Sequence, residues 1–253
     1  MAKKKRQAEQ RSFSFEEMSL CKVALIVAVD QSSTFTGHMG MTYCPEKNTE
    51  VIDSDVVLAI PEFKWLCSSD NPSLEHVINV KVSAKEKSPK YWPEVSTRLF
   101  QYEKKIAEIL TKYENKVGQY SEKYFICESV YFDMLHLNSV SPLLRFQTVA
   151  AMTASRLGYK VFEYGNIEAK CLLGVAANKK NSKEEVVPFI NSTFNLEIPS
   201  KNLASASDAE IGRCSHVGDA IALGYLHANK ILHYLMSTNQ YKINQKTEEQ
   251  KDV

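Results

Sequence analysis

The sequence predicts an α/β fold with a mixed central sheet and helices on both faces, and three patterns indicate it. The first is the continuous apolar run Val23–Val29, which is typical of a fully buried strand. The second is a pair of further strands, Met39–Cys44 and Val51–Ile60, separated by a turn at Pro45–Asn48. The chain is therefore expected to open with a three-stranded antiparallel meander. The third pattern is the alternation of helices and strands that follows.

The later elements are predicted from the helical spacing of apolar residues and from capping signals. Ser141 and Pro142 are typical of an N-cap and a first helical residue, and Gly158 is typical of a helix end. Ser182–Glu185 matches a capping box. The predicted elements are a helix at 94–113, strand 124–130, helix 142–157, strand 160–164, helix 182–194 and a last helix that opens at Ser215 or His216 and ends near 236.

The 253-residue length and the balance of 44% hydrophobic and 24% charged residues favour one globular domain. We assign this domain to 21–236, with an insertion at about 61–93 that is rich in proline and holds a short strand at Val77–Val82. The ends, 1–20 and 237–253, are predicted to be a basic tail and a polar tail. For the basic tail, a nuclear-localisation signal or a DNA-contacting arm is the alternative to a solvated segment.

Composition excludes several classes of protein. The net charge of +1 shows no global preference for nucleic acid, so a DNA-binding face would need local clusters of Lys and Arg. The six cysteines are scattered without a C-x-x-C pair, which argues against a zinc site and suits a reducing compartment. No secretory leader and no membrane-spanning apolar run are recognised, so an intracellular protein is expected.

Four polar residues stand at positions where a site could form. Asp30 ends the first buried strand, Glu128 lies inside an apolar strand, and His216 and Asp219 are three residues apart on the last helix. Separately, Asp30 could be a capping acid, and the His–Asp pair could be a solvated helix start. Together they would converge, and converging carboxylates repel one another unless a divalent cation neutralises them. Oxygen ligands favour Mg²⁺ or Mn²⁺, and two such ions promote displacement at phosphorus.

Ordered blocks along the chain carry a family resemblance. Asp30–Gly37 has the form D-x-[GS]-x-x-x-T-G, and further blocks follow at Cys127–Phe132, Val161–Tyr164, Lys170 with Gly174, Lys183–Val186 and His216–Ala222. In this order they resemble the RuvC-type Holliday junction resolvases, which have an RNase H-like fold. The spacer between the first two blocks is longer than the family needs, and a few extra residues stand at 178–181.

The resemblance implies roles for individual residues. Asp30, Glu128, His216 and Asp219 would form a metal cluster for two Mg²⁺ ions, with Mn²⁺ able to substitute, and activity would fall when His216 is protonated. The remaining candidates would contact DNA: Lys183 at the scissile phosphate, Lys170, Lys179 and Lys180 on the backbone, and Tyr131 by stacking on an exposed base. The alternatives are a core position for Tyr131 and an ordinary solvated face for the lysine run.

The function implied by the resemblance is a Mg²⁺-dependent endonuclease that works on DNA inside the cell. As a homodimer on a four-way junction it would make paired symmetric nicks. A branched-DNA or flap nuclease of the same fold is the first alternative, and a non-catalytic junction-binding module is the second. An ATP-dependent phosphotransferase like the sugar kinases is the third alternative, but that fold needs a second domain and a longer chain.

Overall fold

A computed structural model describes residues 24–31, 35–53, 56–65, 77–79, 92–118, 120, 122–130, 137–175, 182–194, 196–200 and 208–235. Both predicted tails lie outside these ranges, as do Tyr131, Lys179 and Lys180. No helix within them has the length and apolar character needed to cross a membrane.

The described strands form one mixed sheet. Its order is β3-β2-β1-β5-β6, with β4 paired to β2 outside this path. β1, β2 and β3 pair antiparallel, whereas β1, β5 and β6 pair parallel. The predicted mixed sheet and opening meander are therefore confirmed. The strands are β1 Ala24–Asp30, β2 Phe35–Asp53, β3 Val56–Trp65, β4 Val77–Asn79, β5 Glu122–Glu128 and β6 Lys160–Tyr164.

Helices cover both faces of this sheet, as the sequence predicted. They are α1 Trp92–Val117, α2 Leu137–Arg156, α3 Asn166–Leu172, α4 Ser182–Phe194 and α5 Asp208–Leu235. Side chains of a strand alternate between the two faces. In β1, the even-numbered Ala24, Ile26 and Ala28 pack in the core under α3, α4 and α5. Odd-numbered Leu25 and Val27 pack against α1 and α2.

The helix α5 lies close to the sheet because small residues face it. A Cβ added to Gly224 would lie 3.3 Å from the Cβ of Ala28 in β1. Ala220, Ala222 and Ala228 of the same helix are fully buried. Short side chains let the helix backbone approach the strands, so the position of α5 is set by contact at many points.

Three predictions about the meander and the insertion are wrong in detail. β2 continues through Pro45–Asn48, where its register with β3 shifts, and the two strands join between Asp53 and Val56. A bulge can absorb the extra residues that resemble a turn. Pro61 lies inside β3 rather than at the start of an irregular segment. β3 ends the strand order, and an edge strand tolerates a proline because it need not donate on its open side.

Two helix starts also differ from the prediction. α2 begins at Leu137, so Pro142 lies in its second turn. Because proline has no backbone N–H, one backbone hydrogen bond is lost close to the N-terminal end of the helix. α5 begins at Asp208, more than two turns before the predicted start at Ser215 or His216. The short helix α3 was not predicted. The strand at 160–164 and the helix at 182–194 are confirmed, as is the turn at Gly158, where φ is +80°.

Candidate active site

Asp30 and Glu128 stand side by side at one edge of the sheet. Asp30 is the last residue of β1, and Glu128, which was predicted to lie inside a strand at 124–130, is the last residue of β5. The two strands run parallel, and their pairing continues up to Val29 opposite Cys127, one residue before the two acids. Asp30 shares the alternation of Ala28, which packs beneath α5, so both acids face that helix.

Helix α5 brings His216 and Asp219 to this edge. His216 Nδ1 lies 2.5 Å from Asp30 Oδ2, a hydrogen bond between residues 186 positions apart in the chain. Asp219 lies one turn further along α5 and is 6% exposed. The structure therefore brings together the four residues for which the sequence predicted a shared site, although their roles remain a prediction.

Gly37 allows this close approach of α5 to the sheet. It pairs with Asp30 across β1 and β2. A Cβ on Gly37 would lie 2.2 Å from the carbonyl carbon of His216, a distance that no side chain can occupy. A glycine inside a strand often marks a point where another backbone comes close, and here that backbone is α5.

The pKa values of Glu128 and Asp219 are raised, first by burial and then by the charge of Asp30. Burial is the largest cause for Glu128, and the charge of Asp30, a hydrogen bond with the Asp30 carboxylate and the charge of Asp219 add to it, raising the pKa of Glu128 to about 8. A hydrogen bond from the Asn166 side chain acts in the opposite direction. For Asp219, burial and the charge of Asp30 raise the pKa, while Lys170 and His216 lower it. Asp30 thus lies close enough to Glu128 and Asp219 for its charge to affect both carboxyl groups.

Lys170 lies inside this acidic cluster. It belongs to α3, is 7% exposed, and its Nζ lies 3.5 Å from Asp219 Oδ1. A buried ammonium is stable only beside a compensating charge, and Asp219 supplies it. The predicted contact of Lys170 with the DNA backbone remains a prediction, but its nearest charged partner in the structure is an acid of the site.

The donor atoms suit a hard divalent cation in their chemistry. Among the described residues, no three His, Cys, Asp or Glu side chains have the arrangement of a metal site. His216 contacts one carboxylate oxygen of Asp30, and Lys170 contacts one carboxylate oxygen of Asp219. Protein donors therefore already occupy one oxygen of each acid. Within the same part of the chain, Asn166 Oδ1 is buried without a hydrogen-bond partner, beside Glu128. Oxygen-rich groups of this kind are the ligands that Mg²⁺ and Mn²⁺ prefer.

The sequence-based prediction missed Asn166 and the contact made by Gly37. Asn166 opens a helix of seven residues, which is too short to show an apolar periodicity, so no local signal pointed to it. Gly37 did carry a signal, because glycine weakens a strand unless space is needed. Of the other predicted residues, Lys183 lies in the first turn of α4, and the position of its side chain is not described.

Comparison with known proteins gives similarity in structure but not in sequence. No protein-family model matches the chain, and no curated protein matches it. Among solved structures, 18 chains match. One is Thermus thermophilus RuvC in complex with a Holliday junction substrate, with a TM-score of 0.50 and 17% identity over 81% of this chain and 92% of that chain. Another structure of Thermus thermophilus RuvC has a TM-score of 0.48 at 17% identity and covers 85% of this chain and 97% of that one. The described elements thus have the fold of RuvC, and the predicted RNase H-like architecture is confirmed.

Proposed function

We propose that this protein is a divalent-metal-dependent endonuclease that cuts branched DNA and resolves Holliday junctions by paired symmetric nicks. The observation that carries the proposal is the meeting of Asp30, Glu128 and Asp219, from three different elements, in one buried region at the sheet edge. Buried acids with raised pKa values are typical of functional sites. The RuvC structure of the same fold is in complex with a Holliday junction, which supports the choice of substrate.

Asp30, Glu128, Asp219 and His216 would hold two Mg²⁺ ions, with Mn²⁺ as a substitute. When bound, the ions would neutralise the acids, activate a water molecule and stabilise charge on the scissile phosphate. The pKa values of Glu128 and Asp219, raised first by burial and then by the charge of Asp30, support this assignment, because a bound cation would stabilise the charged carboxylates.

The chain's own residues would do the rest. His216 holds one carboxylate oxygen of Asp30, which orients that acid toward Glu128. Lys170 holds Asp219 in the same way through its ion pair. Lys183 would lie near the phosphate, as would Lys179 and Lys180, and Tyr131 would stack on a base exposed at the branch point. Two copies of the chain would place one active site on each of two strands.

A nicking assay tests this proposal. A labelled four-way junction and a linear duplex of the same sequence are incubated with the full chain, with Mg²⁺ or with a chelator. We expect paired nicks at symmetric positions in the junction, none in the duplex, and none without the metal. Cuts at unpaired positions, or on flaps alone, would favour a branched-DNA nuclease. Tight junction binding with no cut in Mg²⁺ or Mn²⁺ would favour a binding module and reject the enzyme.

A further inference from the structure

The side chain of Gln31 reaches across from the end of β1 to the backbone of Glu128. Gln31 directly follows Asp30 and is 4% exposed. Its Nε2 donates a hydrogen bond to the carbonyl oxygen of Glu128 at 2.7 Å. In return, the backbone N–H of Glu128 donates to Gln31 Oε1 at 3.3 Å. One side-chain amide therefore satisfies both backbone groups of a candidate catalytic residue.

These two hydrogen bonds extend the backbone hydrogen bonding between β1 and β5 beyond the end of β1. Backbone pairing of β1 with β5 is present up to Val29 and Cys127. A glutamine amide has an N–H donor and a carbonyl acceptor, as a peptide group has, so it can form the next hydrogen-bonded pair with β5. On the other side, Glu128 pairs with Tyr164 of β6, and the N–H of Ser129 donates to the Tyr164 carbonyl at 2.8 Å. Glu128 thus has a partner on each side although β1 has ended.

A second glutamine, on helix α2, supports the same atom. Gln147 of α2 is 5% exposed, and its Nε2 donates to the Glu128 carbonyl at 3.1 Å. The Glu128 side chain stands beside two other acids that repel its charged form. Repulsion of this kind would push the strand end away from the cluster unless the backbone is held. Two buried amides on one carbonyl supply that restraint.

We infer that Gln31 is a positioning residue, which holds the backbone of Glu128 in register with Asp30 so that the two carboxyl groups face one site. Gln147 contributes a weaker, single bond to the same end. The link to catalysis rests on the proposed nuclease function. The positioning itself concerns only this chain and can be measured without any substrate.

The test uses Gln31→Met, which keeps the length of the side chain and loses both hydrogen bonds. Supporting residues of this kind typically contribute about 10–100-fold to metal affinity or activity. We expect the kcat for junction cleavage to fall by about that factor while KM for the junction stays within about twofold. Mn²⁺ binding to the protein alone, measured by titration, should weaken by about tenfold or more. The matched control is Gln101→Met on the exposed face of α1, which should match the wild type in every measurement.

Amide hydrogen exchange gives a readout that needs neither metal nor DNA. The amide of Glu128 should be protected in the wild type and in Gln101→Met, and should exchange faster in Gln31→Met. If Gln31→Met does not fold, Gln147→Met replaces it, with a smaller fall in kcat at unchanged KM and a smaller loss of Glu128 protection. Wild-type kcat, Mn²⁺ affinity and Glu128 protection in the folded variant would overturn the inference. A wild type that cuts no branched DNA, with Mn²⁺ binding still lost in Gln31→Met, would reject the nuclease and leave the positioning role in place.

Discussion

The two faces of the sheet are built differently. On the α5 face, small residues such as Ala28 and Gly224 let a helix backbone lie close to the strands, and the face ends in the acids Asp30 and Glu128. On the α1 face, Tyr102 and Tyr113 are fully buried, and large side chains such as Tyr43 and Tyr124 are buried on the α5 face as well. Close approach of α5 to Gly37 and Ala28 fixes where this helix places His216 and Asp219, whereas α1 and α2 pack on the face away from these two residues.

The two faces also differ in where buried acids lie. On the α1 face, the hydroxyl of Thr36 donates to the Tyr102 oxygen at 3.3 Å, and His38 Nδ1 lies 3.0 Å from the Tyr113 hydroxyl. These polar pairs are buried and satisfy one another. On the α5 face, buried polar groups include acids whose pKa values are raised. We conclude that the α1 face chiefly stabilises the fold, while the α5 face also sets the geometry of the site.

The largest expected effect comes from removing charge at the acids. Asp30→Asn, Glu128→Gln and Asp219→Asn should each lower kcat for junction cleavage by more than about a thousandfold, since loss of a metal ligand removes several kcal/mol of transition-state stabilisation. Junction binding, measured by gel shift in Ca²⁺, should change little. The control is Glu108→Gln, an acid 62% exposed on α1, which should cut like the wild type. Full activity in any of the three variants would remove that residue from the site.

Substitution of two glycines in β2 tests the two faces of the sheet one at a time. In Gly37→Ala, the new Cβ would meet the His216 backbone at 2.2 Å, so α5 must move away from Asp30. A displacement near 1 Å in such a site costs about 100-fold in kcat. In Gly40→Ala, the Cβ would meet the Tyr113 ring at 2.5 Å, on the opposite face. That variant should lose about 1–3 kcal/mol of unfolding free energy and keep its kcat. Equal kcat losses in both would contradict the division between the faces.

Truncation in the α1 core should affect stability alone. Ile106 is 1% exposed in the cluster beneath α1 and α2. Ile106→Ala should lower the free energy of unfolding by about 2–5 kcal/mol, because it removes buried methyl groups and leaves a cavity. Urea denaturation measures this loss, and kcat per folded molecule should not change. A kcat loss matching that of Gly37→Ala would show that both faces control the site.

The smallest effect is a pH dependence from the α5 face. His227 is fully buried, and burial, with the nearby charge of Lys230, lowers its pKa to about 3. The unfolded chain therefore binds more protons than the folded one between about pH 6.5 and 3, so stability is lost as pH falls through that window. Between pH 7.5 and 5, we expect this residue to lower the unfolding free energy by about 2 kcal/mol. In His227→Leu, the loss of unfolding free energy between pH 7.5 and 5, measured by urea denaturation, should be smaller by that amount. If the pH dependence of the variant equals that of the wild type, the effect belongs to other groups.

Local patterns predicted a large part of the fold. The apolar run before Asp30, the Lys160–Tyr164 strand and the turn at Gly158 all appear in the structure. Signals that depend on one or two residues were less reliable. Pro142 suggested a helix start that lies one turn too late, and Pro45–Asn48 suggested a turn that β2 absorbs. A periodic apolar run reflects the burial of many side chains, so no one residue decides the prediction. A single proline, by contrast, can lie at a helix start, within the first turns of a helix, or in an edge strand.

The residues of the site divide in the same way. The sequence by itself determined that Asp30 ends one buried strand, that Glu128 belongs to another and that a His–Asp pair lies on one helix face, because apolar periodicity can be read along the chain. Only the tertiary structure decided that Lys170 pairs with Asp219, that Gln31 holds the Glu128 backbone and that α5 passes directly over Gly37. These contacts join residues tens to hundreds of positions apart. Their distances depend on how every element between them packs, which no local pattern encodes.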